Sequence, residues 1–185
     1  MLEEWKKEAQ GAHKLSLVDL VKRGDQIKEH IRQELVAIEN TPSGGPLLYN
    51  PSTIFQTPAP LEISKIFAYS AITYLHVVIS GAYPELPEIA ESVSETIDAF
   101  KSLRDPRLLR SVVWPFCITG CLALEKHQGL FGDLVSKANV TQLTTATCFT
   151  AYRIMEECWK ARITCSDACD WTVLMNKHGH CVLLI

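Results

Sequence analysis

Apolar residues recur along this chain at steps of three and four, the period of an amphipathic α-helix, and no stretch alternates as a half-buried strand would. The first clear stripe runs through Leu17, Leu20, Val21, Ile27, Ile31, Leu35 and Ile38, and Ser16 with Asp19 supplies an N-cap followed by an acidic first turn. The pattern predicts an amphipathic helix over 15–39, inside an N-terminal helical arm 1–40, with Gly24 as its weak point. From Asn40 onward, five prolines (42, 46, 51, 58 and 60) and the pair Gly44-Gly45 rule out regular structure, so 41–60 is expected to be an extended connector. The body, 61–185, reads as helices throughout. Its first helix is expected over 62–80, closed by Gly81. Pro87 then occupies the first position of a helix with Ile89, Val93, Ile97, Phe100 and Leu103 on one face. Asp105-Pro106 repeats that start signal for a helix predicted from Arg107 to about His127, kinked at Pro115 because proline lacks an amide donor. A short helix over 129–137, a long one over 141–162 and a last one over 171–176, capped by Asp170, follow. The tail 181–185 is expected to dock as an extended segment. The sum is an all-α fold, an irregular bundle of about six to eight helices.

Composition bears on partners more than on fold. Lys plus Arg number 18 against 21 Asp plus Glu, a net charge of −3, and no basic run is present to neutralise phosphates. Direct nucleic-acid binding is therefore not expected. The opening MLEEWKKEAQ is charged from its third residue and resembles neither a secretory signal nor a transit peptide, which points to the nucleus or cytoplasm. One charge-free stretch, 66–84, is long enough to suggest a membrane span. Ser70, Thr73, His76 and Ser80 interrupt it on one helical face, so a buried helix of a soluble protein is the expectation. Seven cysteines (117, 121, 148, 158, 165, 169 and 181) form no C-x-x-C pair and read as reduced, buried thiols. Cys165, Cys169, His178, His180 and Cys181 have zinc-type donors, but their spacing matches no common site; neither metal nor cofactor is expected.

Three charge-free stretches, 66–84, 111–124 and 138–152, must be buried on most sides, and two of them carry hydroxyls in helical register: Ser70/Thr73/Ser80 and Thr141/Thr144/Thr147/Thr150. Such hydroxyls can bond back to the carbonyl four residues earlier, which leaves plain helix packing as one reading. The other is a central cavity for a small apolar ligand, lined by Thr73, His76, Trp114, Cys117, Cys121 and Tyr152. His76 is the sharpest candidate. A histidine in a charge-free helix has a lowered pKa and stays neutral, fit for proton transfer or for hydrogen bonding to a ligand, although many core histidines simply bond a carbonyl. Glu125, Lys126 and His127, and Glu156-Glu157, read as solvated faces. The chain has no G-x-S-x-G, no phosphate-binding glycine loop, no H-E-x-x-H and no dinucleotide fingerprint.

The run FAYSAITYLHVVISG (67–81), then WPFCITGCLA (114–123), AYRIMEECWKAR (151–162), DW (170–171) and GHCVLLI (179–185) resemble, in order and approximate spacing, one known family. It is the fungal-specific transcription factor domain, here the carboxyl-terminal part of the helical regulatory region of zinc-binuclear-cluster regulators. The resemblance covers 61–185 and implies an all-α fold with Trp114, Cys121, Trp159 and Trp171 as packing anchors and His76 within a helix signature. The zinc cluster of such regulators needs six cysteines in a basic stretch, and none precedes Cys117. The resemblance thus implies a regulatory module lacking its own DNA-binding domain, which acts by binding a protein partner or a small effector. The amphipathic helix 15–39 offers a surface for such a partner or for self-association. The alternative is a stand-alone enzyme of fungal secondary metabolism, of cyclase or isomerase type. It would use a buried apolar pocket, His76 as acid/base and Thr73 or a neighbouring threonine to orient it.

Overall fold

The computed structural model describes residues 16–40, 58–138 and 146–164, which form six α-helices and one 3-10 segment, with no strand among them. We number the helices α1 (Leu17–Glu39), α2 (Pro58–Ser80), α3 (Pro87–Lys101), α4 (Val113–Leu122), α5 (Glu125–Lys137) and α6 (Ala146–Thr164), with the 3-10 segment Pro106–Val112 before α4. The all-α expectation holds. Residues 1–15 of the arm, most of the connector, Thr141 and Thr144, the helix expected over 171–176, the tail 181–185 and the cluster Cys165, Cys169, His178, His180 and Cys181 lie outside the described residues.

Local signals set most of the boundaries. The Ser16 hydroxyl accepts from the Val18 amide at 3.3 Å and opens α1. Gly81 closes α2 with φ +88°, a conformation that glycine adopts without a Cβ penalty, and its amide donates to Val77 O at 2.8 Å. Pro87 stands in the first turn of α3, whose buried face carries Ile89, Val93, Ile97 and Phe100 as the spacing predicts. The connector ends earlier than expected, because α2 already starts at Pro58; amides of a first helical turn have no intrahelical acceptor, so the two prolines there cost no bond.

The single helix predicted from 107 to 127 does not form. The stretch divides into the 3-10 segment, which Asp105 caps by accepting the Arg107 amide at 2.9 Å, then α4, then α5, which begins at Glu125. Pro115 kinks nothing, being the third residue of α4, inside the first turn. The chain instead turns at Ala123 and Leu124, both in extended backbone. Carbonyls exposed by that break are met from α6: Trp159 Nε1 donates to Gly120 O at 2.8 Å, and Arg162 Nη2 to Cys121 O at 2.9 Å and Ala123 O at 3.1 Å. A guanidinium at a helix C-terminus also suits the negative end of the helix dipole.

The core forms around α4. Its residues 115–122 are all buried, as a helix with no polar side must be, and α2, α3 and α6 pack on it. Phe100, Phe116, Phe131 and Trp159, from α3, α4, α5 and α6, meet ring to ring at its centre. On the other side α2 runs antiparallel between α1 and α3. Thr73 Oγ1 donates to Tyr69 O at 3.2 Å and lies 3.3 Å from Thr96 Oγ1, while Ser80 Oγ donates to Glu88 at 3.1 Å. Two of the four residues in the polar stripe of α2, Thr73 and Ser80, are thus used against α3. By length and composition, residues 60–80 are the one stretch among the described residues able to cross a bilayer. Here α1, α3 and α4 pack against that helix.

Candidate functional site

The described part of the arm, α1, lies along α2, and the close approach occurs at Gly24. A Cβ there would overlap Ile79 Cδ1 and sit 3.5 Å from Cγ1. The residue that weakens α1 as an isolated helix is therefore the one that lets α2 come near. Beside this contact the helices part into a cleft of about 220 Å³. Val21, Gly24, Leu75 and Ile79 line its apolar part, and Asp25, Lys28, His76 and Glu88 its polar edge. Three elements contribute: α1, the last turns of α2 and the first turn of α3.

The polar edge is hydrogen-bonded within itself and carries one net negative charge, two carboxylates against one ammonium. Lys28 Nζ bonds Asp25 Oδ1 at 2.8 Å, which holds the Asp25 carboxyl below its usual range. Glu88, in the first turn of α3, is held low by its own backbone amide and by the Ser80 hydroxyl. His76 is pushed below the ordinary histidine value, chiefly by burial and then by the Lys28 charge. At neutral pH its imidazole is uncharged and can donate through one ring nitrogen and accept through the other.

That shift has a sign. A folded-state pKa below the unfolded value of 6.5 means that the unfolded chain binds more protons as pH drops past it. The contribution of His76 is complete above that value and is lost as pH falls through it toward the folded pKa. The thermal midpoint is expected to fall between about pH 7 and about pH 5.5, and His76→Gln is expected to flatten this part of the profile. An equal slope in the variant would remove His76 as the cause. Asp25 and Glu88, shifted down from ordinary carboxylate values, act only in the more acid range.

The structure does not bring the six candidate residues together. His76 lines the cleft; Thr73, one turn earlier, faces Thr96 of α3 instead. Trp114 stacks on Phe67 with centroids 6.1 Å apart and meets Tyr74 edge-on at 6.0 Å, on the α2–α4 seam. Cys121 is fully enclosed, hydrogen-bonded to Cys117 and Cys158 where α4 meets α6; those bonds, with burial, raise its thiol well above the usual range, so it stays protonated and unreactive. Tyr152 stands edge-on to Trp159 at 6.0 Å, on the α5–α6 side near Gly132. Val21, Gly24, Asp25, Lys28, Leu75, Ile79 and Glu88 line the cleft without having been singled out as site residues. Among the described residues no three His, Cys, Asp or Glu side chains converge on a metal position.

Residues 1–185 match the fungal specific transcription factor domain. The chain belongs to the fungal-specific transcription factor domain family. Two trichothecene biosynthesis transcription regulators, TRI10 of Trichoderma arundinaceum and TRI10 of Fusarium sporotrichioides, are 35% and 32% identical over 186 and 184 residues. These alignments take in 100% and 99% of this chain and 40% of each regulator. The ustiloxin B cluster transcription factor ustR of Aspergillus flavus is 28% identical over 196 residues, 100% of this chain and 32% of that protein. The chain thus spans at most about two fifths of the length of these relatives. No solved structure matches it. The family match takes in the arm and connector, 1–60, which the motif resemblance over 61–185 leaves out.

Proposed function

We propose that this chain is the regulatory part of a nuclear transcription regulator that controls a set of fungal secondary-metabolite genes, and that the α1–α2–α3 cleft is where it reads a small effector. One observation carries the reading: the chain aligns from end to end with regulators of named biosynthetic gene sets. The cleft pairs an apolar wall with a few convergent polar groups, as small-molecule sites do, and at about 220 Å³ it is smaller than most of them, so its occupant would be small or only partly enclosed. A neutral imidazole, with carboxylates as acceptors, suits an uncharged, largely apolar molecule carrying a hydroxyl better than an anion, which Asp25 and Glu88 would repel. Because the lining comes from three elements, an occupant would stabilise the docked position of α1 by mass action. Occupancy would then become a statement about where the arm lies.

The cyclase or isomerase reading, with His76 as acid/base, draws no support from relatives that are each named as regulators. The expected pocket residues are also dispersed over the described helices. Deleting the coding sequence in the fungus and sequencing its transcripts tests the regulatory reading. Transcripts of secondary-metabolite biosynthetic genes are expected to fall, and an unchanged transcript profile would sink it.

A further inference from the structure

The apolar stripe of α1 is wider than the seam that α2 covers. Gly24 and Leu35 are buried against the body, but Leu20 and Ile27 remain 40% and 51% exposed, and Ile31 and Ile38 are only half-buried. These four residues follow one another at steps of 7, 4 and 7, which keeps them within about 40° of arc along four to five turns of helix. They lie on the side of α1 turned away from α3. Arg32 and Asp25, which approach Glu95 and the Glu88 end of α3, sit roughly 100° or more around the helix from them. Val78 of α2, 37% exposed, extends the apolar surface on that outer side.

The spacing is symmetric about position 29. Leu20 and Ile38 are equidistant from it, and so are Ile27 and Ile31. The charges are arranged the same way. Residues 17–28 hold Asp19, Lys22, Arg23, Asp25 and Lys28, or 3 − 2 = +1, and residues 29–39 hold Glu29, Arg32, Glu34 and Glu39, or 1 − 3 = −2. A parallel pair would set the −2 halves side by side. An antiparallel pair sets each +1 half against a −2 half, with Leu20 opposite the partner copy's Ile38 and Ile27 opposite its Ile31. Arg23 and Glu34 both flank the stripe on its outer edge and, six positions before and five after residue 29, come within one residue of facing each other across the same axis. A two-fold contact requires this self-complementarity, in which residue i meets j and j meets i.

We infer that a second copy of this chain docks on the outer stripe of α1, the two α1 helices antiparallel across a two-fold axis near residue 29. The contact would cover Leu20, Ile27, Ile31 and Ile38 and extend onto Val78, making a four-helix layer of α1 and α2 from each copy. It stands apart from the regulatory reading, since it rests on the stripe's spacing and charge and not on the cleft. Sedimentation equilibrium of the whole chain tests it. The expected result is a dimer that Ile27→Glu converts to monomer with an unchanged far-ultraviolet circular dichroism spectrum. The exposed charge reversals Arg23→Glu and Glu34→Arg should each weaken the dimer roughly threefold, since each breaks two equivalent ion pairs, and the two together should restore it. A wild-type chain that stays monomeric at its highest soluble concentration overturns the inference, as would an Ile27→Glu protein that dimerises as before. A double reversal no tighter than the single ones overturns the antiparallel register.

Discussion

Replacing Phe131 with alanine is expected to lower the unfolding free energy by about 3–5 kcal/mol, a large share of what a domain of this size possesses. The ring is fully buried, with centroids 5.5 Å from Phe116, 6.4 Å from Phe100 and 6.4 Å from Trp159. It is the contribution of α5 to a cluster whose other members come from α3, α4 and α6. Truncation removes the transfer energy of the ring and leaves a cavity between four helices that cannot all close in on it. Urea unfolding of wild type and variant, followed by far-ultraviolet circular dichroism, measures the difference through the midpoint at constant slope. A loss below about 1 kcal/mol would mean that α5 is not packed as described.

Valine at Gly120 is expected to cost about 3 kcal/mol by the opposite mechanism, overpacking. A Cβ at this position would overlap the Met155 sulfur and lie 2.8 Å from its Cε and 2.9 Å from its Cγ. Met155 is itself fully buried and has no solvent to move into. The Gly120 carbonyl is also held by the Trp159 indole, so α4 cannot shift away without losing that bond. Met155→Ala should relieve the clash: the double variant Gly120→Val/Met155→Ala is expected to be more stable than the sum of its parts predicts, a favourable coupling of about 1–3 kcal/mol. Simple additivity in the same urea experiment would show that the two residues do not compete for one space.

How far the chain could be read in advance depends on whether a signal was local. The stripe of α3, the Ser16 cap and the Gly81 stop are written within a turn or two of where they act, and the structure has them there. The division of 107–127 into three pieces is not local. Leu109 and Val112 are buried at a spacing of three, which suits a 3-10 turn as well as an α-helix. The break at Ala123-Leu124 contains neither glycine nor proline, and it is made tolerable by Trp159 and Arg162, which lie 39 to 41 positions from the carbonyls they meet. Pro115 misleads for the same reason: its cost depends on where the helix begins. Of the site, His76 was legible because an imidazole among apolar neighbours is chemically conspicuous. Its companions Val21, Asp25 and Lys28 reach it only because α1 folds back along α2, across a connector whose composition says nothing about direction. The charge-free stretch of α4 did signal burial, whereas those of α2 and α6 leave Phe67, Val78 and Phe149 more than a third exposed; and helices buried by each other and helices buried around a ligand have the same sequence pattern.

Effector reading by the cleft is tested by the level of secondary-metabolite gene transcripts in a strain whose native gene carries His76→Leu, beside the wild-type and deletion strains. Leucine removes both ring nitrogens from the cleft while filling much of the same space at a position outside the core cluster. Transcripts are expected to move from the wild-type level toward the deletion level while protein abundance and the thermal midpoint at neutral pH stay at wild type. Transcripts equal to wild type, from a deletion strain that does lose them, would contradict the assignment of effector reading to this cleft.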